Sequence, residues 1–75
     1  VLNLNSGARF VTYAIRGRRG SGQMMLNGPA ARLALKGDTV IVITYASLED
    51  AEARKFKATV VQVDARNRIR KILRK

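Results

Sequence analysis

The chain contains no cysteine, no histidine and no tryptophan. Without cysteine there is no disulfide and no thiolate zinc site, and without histidine the imidazole ligands and general bases most used near neutral pH are missing too. No metal site is expected, and any chemistry must rest on other groups. Acidic residues are scarce, five Asp and Glu against fifteen Lys and Arg, which leaves a net charge of +10. Long apolar runs are lacking as well. None approaches the roughly 20 residues that a membrane-spanning helix needs, and the first residues do not form a basic stretch followed by an apolar one, as a secretion signal would. The sequence therefore predicts a cytoplasmic protein with no membrane partner. At 75 residues it accommodates one small domain over 1–75 and no second core.

The positive charge is uneven. Arg66, Arg68, Arg70, Lys71, Arg74 and Lys75 make a basic C-terminal strand or tail over 66–75, with lesser clusters at Arg16, Arg18, Arg19 and at Arg54, Lys55, Lys57. Such a field favours anionic partners. A nucleic-acid footprint would also call for stacking aromatics or a docking motif. The aromatic residues are Phe10, Tyr13, Tyr45 and Phe56, and none is interleaved with the terminal run. A solvated basic surface accounts for the pattern.

The local signals are mostly those of strands. Val1-Leu2-Asn3-Leu4 reads as the end of a strand, Asn5-Ser6-Gly7 as a tight turn, and Phe10 to Ile15 as the returning strand, rich in β-branched and aromatic residues. A chain that starts inside a strand is expected to have lost an earlier segment. Arg16 to Gly22 is a glycine- and arginine-rich connection. After Asn27-Gly28-Pro29, proline can open a short helix through Ala30 to Ala34. Lys36-Gly37-Asp38 makes a turn, and Thr39 to Tyr45, almost continuously β-branched, suits a strand buried on both faces. Ser47 and Asp50 resemble a capping box before a helix over Leu48 to Arg54. Thr59 to Val63, a turn at Asp64 to Asn67, and Arg68 to Leu73 complete a second hairpin.

Several segments in fixed order carry a family resemblance. They are Asn5 through Ile15, Arg19-Gly20-Ser21-Gly22, Leu26-Asn27-Gly28-Pro29-Ala30-Ala31-Arg32 and Gly37-Asp38 with the apolar run behind it. The likeness continues through Tyr45-Ala46, Glu52-Ala53-Arg54 and Val60-Val61-Gln62-Val63-Asp64. No one of these motifs is specific alone; their order and spacing together are. The chain resembles the C-terminal, substrate-binding portion of the pyruvoyl-dependent aspartate 1-decarboxylase family. That family makes β-alanine from L-aspartate, with release of carbon dioxide, for pantothenate and coenzyme A synthesis.

The resemblance implies a mainly β fold, part of a double-psi β-barrel with one or two short helices, assembled as a homotetramer with active sites between subunits. Decarboxylation leaves an electron pair on carbon that no ordinary side chain accepts. In the family a pyruvoyl group accepts it, formed by self-cleavage at a Gly-Ser bond. The serine that gives rise to it is expected in an N-terminal segment outside these residues, as is the family's substrate-binding lysine. Gly20-Ser21 matches a different Gly-Ser of the family and reads as a glycine-rich loop. The chain alone is thus expected to be inactive.

Arg9 matches the position that binds a substrate carboxylate, for which a guanidinium offers paired hydrogen bonds; taken alone it reads as a surface arginine at a strand end. Tyr13 corresponds to the family's proton donor, and Thr12 to a threonine required for self-processing. Asn27 and Gly28 match residues beside the processing site and substrate, and Ala30 and Ala31 match small pocket-lining residues; alone, they make a turn before a helix. Pro29 stands where the family often has alanine and removes a backbone donor. Other readings are a non-catalytic barrel module binding nucleic acid through the basic tail, and an engineered or ancestral half-barrel that folds by homo-oligomerisation.

Overall fold

A computed structural model describes all residues, 1–75. Its elements are short: β1 (Leu2–Asn3), a 3-10 helix η1 (Gly28–Leu33), β2 (Val40–Ile41), α1 (Asp50–Lys55), β3 (Thr59–Val63) and β4 (Ile69–Arg74). They form two antiparallel two-stranded sheets, β1–β2 and β3–β4. The mainly β character and the short helices follow the sequence reading. The chain divides into two compact units, one made of Val1–Arg16 with Met24–Tyr45, the other of Gly17–Gln23 with Ala46–Lys75.

In the first unit the turn after β1 forms as the sequence predicts. The Gly7 N–H donates to the Asn3 carbonyl at 2.9 Å and the Asn3 N–H to the Ala8 carbonyl at 2.8 Å. The returning arm is another matter. Phe10 to Ile15 was expected to be a strand, yet the pairing is one isolated antiparallel bridge, Leu2 to Arg9. Thr39 to Tyr45 is likewise reduced to Val40–Ile41, paired as Leu2 with Ile41 and Asn3 with Val40. It is not buried on either face as expected, since Ile41, Val42 and Ile43 are all exposed. A β-branched run specifies suitability for a sheet, but a strand also needs a neighbour, and β1 offers only two residues of ladder.

The helix after Asn27 starts one residue before the proline. Gly28, at φ 63, turns the chain in, and Pro29 supplies a preset φ in the first turn. The extended Ala34 ends it.

In the second unit the capping box does not form. Glu49, not Ser47, is the N-cap of α1, and it makes no side-chain cap. The helix instead has Asp50 and Glu52 in its first turn and Arg54 and Lys55 in its last, matched to the helix dipole. Asp50 and Arg54 pair at 2.9 Å one turn apart; so exposed a pair contributes about 0.5 kcal/mol at most.

The β3–β4 hairpin lies where the sequence placed it. Asp64 shapes its turn: one carboxylate oxygen accepts the N–H groups of Arg66 at 2.8 Å and Arg68 at 3.0 Å. Hydrogen bonds from the Arg68 and Arg66 backbone hold the Asp64 carboxyl below its usual range. Beyond the turn the register shifts between Gln62 and Val63, which pair with Lys71 and Ile69. Arg70 is thus the extra residue of a bulge.

The glycine-rich loop docks on this turn. Asn67 Nδ2 donates to the Gly22 carbonyl at 2.7 Å. Gly22 has φ 69, and a Cβ there would strike the Arg66 carbonyl oxygen. Gly22→Ala is expected to destabilise the folded state by about 1–2 kcal/mol from the left-handed backbone alone, read as a lower denaturation midpoint. An unchanged midpoint would show that the loop is not docked.

No apolar side chain is buried anywhere in the chain. Hydrophobic burial within these residues therefore contributes little, and backbone ladders and polar contacts define the local structure.

Candidate functional site

Arg9, bridged to Leu2, is exposed and lines an open cleft of about 280 Å³ with Val1, Leu2, Phe10, Val11, Ile43 and Tyr45. Along it Val1 and Phe10 pair through their backbones, the Val1 nitrogen donating to the Phe10 carbonyl at 2.7 Å and the Phe10 N–H to the Val1 carbonyl at 3.0 Å. A guanidinium beside an otherwise apolar wall can hold a carboxylate with reduced competition from water. Tyr45 also lines this cleft, a placement that its position at the end of an apolar run does not signal.

Thr12 and Tyr13 follow on an exposed segment outside any strand or helix, with Tyr13 79% accessible. Asn27 is the N-cap of η1, its side chain making no cap hydrogen bond. Ala30 is half-buried and Ala31 exposed. The side chains of Arg9, Thr12, Tyr13 and Asn27 have no hydrogen-bond partner in the chain. All these residues belong to the first unit. Of these residues only Arg9 lines either cleft, and no hydrogen bond joins any two of their side chains.

A second cleft of about 470 Å³ is lined by Asn5, Ser6, Ala8, Arg32, Leu33, Ala34, Leu35 and Asp38. Beside it, Asp38 accepts from the Asn3 side chain and the Leu35 N–H, and these bonds, Asn3 foremost, hold its carboxyl below the usual range. Asp38 is therefore the ionised acceptor at neutral pH. The serine of Gly20-Ser21 has a local task, its Oγ accepting the Gln23 N–H at 3.2 Å. There is no group of three or more His, Cys, Asp or Glu placed to hold a metal ion, and no helix long and apolar enough to cross a membrane.

Comparison with known proteins bears on what these side chains are for. A sequence model of the aspartate decarboxylase family matches residues 1–70. The chain belongs to the aspartate decarboxylase family. It is 61% identical over 72 residues to the aspartate 1-decarboxylase of Chloroherpeton thalassium, covering 96% of this chain and 53% of that protein. It is 54% identical over 68 residues to that of Thermoanaerobacter pseudethanolicus, covering 91% of this chain and 58% of that protein. The aspartate 1-decarboxylase of Cytophaga hutchinsonii is 51% identical over 69 residues, with 92% and 60% covered. The chain spans a little over half the length of these curated relatives. The family match runs through both compact units and includes every residue of both clefts and of η1.

Proposed function

We propose that the complete gene product carrying this chain decarboxylates L-aspartate to β-alanine, and that these residues form the wall of its active site that binds the substrate and returns a proton. The observation that carries this reading is the coincidence of the family match over residues 1–70 with free donors at Arg9, Thr12, Tyr13 and Asn27. Side chains with no partner inside the chain are available to a ligand.

A pyruvoyl group, when bound, supplies the electron sink that none of these side chains offers. The donor set suits so small a keto-acyl group. Thr12 and Asn27 would hold it with a hydroxyl and an amide, and nothing stands within 4 Å of where a Cβ on Gly28 would lie.

Arg9 holds a substrate carboxylate through its planar fork. Tyr13 returns a proton to the carbon that loses carbon dioxide, a general-acid step within reach of a phenol. Thr12 also steadies the oxyanion at the scissile carbonyl during self-processing. Ala30 and Ala31 leave room in the pocket, and Pro29 subtracts one N–H from its rim. By themselves the 75 residues hold no electron sink and turn over no aspartate.

The same reading assigns the small sheets to a double-psi β-barrel in a homotetramer, working in the cytoplasm. The apolar surface left open, including Val11 at 99% and Tyr45 at 89% accessible, supports packing against the remainder of the gene product or another subunit. Patches of that kind mark interaction surfaces.

The test is direct. The complete gene product, purified and given L-aspartate, is expected to release β-alanine and carbon dioxide in equal amounts. A folded, self-cleaved product that forms neither would overturn the assignment.

A further inference from the structure

The single buried side chain in the chain is polar. Asn3 is 2% exposed, and its amide is fully used. Nδ2 donates to the Leu33 carbonyl at 3.0 Å and to Asp38 Oδ2 at 2.9 Å, while Oδ1 accepts the N–H groups of Asn5 at 2.9 Å and Ser6 at 3.2 Å. That is the full capacity of a carboxamide. The same Asp38 oxygen takes the Leu35 N–H at 2.9 Å, and Asn5 Oδ1 takes the Thr39 N–H at 2.7 Å.

These bonds converge on both halves of the proposed substrate wall. On one side the Asn3 backbone closes the turn with Ala8, and its neighbour Leu2 bridges to Arg9. On the other, Leu33 is the last residue of η1, the helix that bears Ala30 and Ala31. Apolar packing within residues 1–75 does not set this spacing, because no apolar side chain is buried there. A satisfied polar network can, since each bond fixes direction as well as distance.

We infer that Asn3 and Asp38 are positioning residues, which hold the Arg9 segment and η1 in the one arrangement that binds the substrate. The inference rests on the aspartate-site reading above. Neither residue touches the substrate. Asp38→Ala leaves the Asn3 amide and the Leu35 N–H without their shared acceptor. Asp38→Asn can keep an oxygen in that place.

The test uses the complete gene product, with Arg9→Lys as the reference for the site itself. Asp38→Ala and Asn3→Ala are each expected to raise KM for L-aspartate roughly tenfold, with kcat within about twofold, in line with the sensitivity of reactions to small misplacements. Their double variant should be no worse than the weaker single one, because both break one network. Asp38→Asn should recover most of the loss.

A raised KM in Arg9→Lys with an unchanged KM in Asp38→Ala overturns the positioning role alone. Unchanged KM in both removes the substrate-site reading. A fall in folded yield with KM unchanged also overturns the inference, since it makes the pair merely structural. Should the alanine variants fail to fold, Asn5→Ala removes the exposed acceptor of the Thr39 N–H instead. It is expected to raise KM about threefold, and no change there overturns the role as well.

Discussion

Tyr13→Phe in the complete gene product is expected to lower kcat by roughly 10²- to 10⁴-fold, the range a lost general acid costs, while self-cleavage proceeds. The ring is 79% accessible and its hydroxyl has no partner in the chain, so removing one oxygen disturbs no internal contact. What it removes is the proton to be returned to carbon. Self-cleavage is assigned to a different hydroxyl, that of Thr12, and should continue. Two measurements settle the matter: β-alanine formation at saturating aspartate, and the mass of the processed chains. Equal turnover in the two proteins would take Tyr13 out of the mechanism.

Arg9→Ala is expected to lower kcat/KM by about 150-fold, the equivalent of about 3 kcal/mol for charge-assisted hydrogen bonds to a carboxylate. Arg9→Lys should fall between, because an ammonium keeps the charge and loses the planar fork. The loss is ascribed to binding, so succinate, which presents the same two carboxylates, should inhibit Arg9→Ala correspondingly less. Wild-type inhibition by succinate in Arg9→Ala would place the carboxylate contact elsewhere.

The second hairpin was legible because its information is local. Asp64 closes its own turn on Arg66 and Arg68, and the flanking residues pair with neighbours a few positions away. The first unit was legible only in part. Phe10 to Ile15 and Thr39 to Tyr45 have the composition of strands, yet pairing depends on partners, and Leu2–Asn3 provides the only ladder there. At α1, Ser47 looked like the cap, but the helix begins after Glu49. Hydroxyl-to-acid spacing alone did not decide the boundary.

The site divides in the same way. Arg9, Thr12, Tyr13 and Asn27 stand out through the order of family motifs; their composition would not have marked them. Asn3 passed unnoticed as one residue of a strand end, because burial of a polar side chain depends on contacts 30 and 35 positions away. The available signal was Asp38 directly after the Gly37 turn, an acceptor with no basic residue assigned to it.

Within residues 1–75 no third strand pairs with the β3–β4 sheet, and its two edges are not alike. β4 carries Arg70, Lys71 and Arg74, whereas β3, Thr-Val-Val-Gln-Val, carries no charge. Cations along an edge repel a like edge and keep strands from adding to it. Of the two edges, the uncharged one of β3 is thereby the better suited to accept a further strand, whether from the remainder of the gene product or from a second copy.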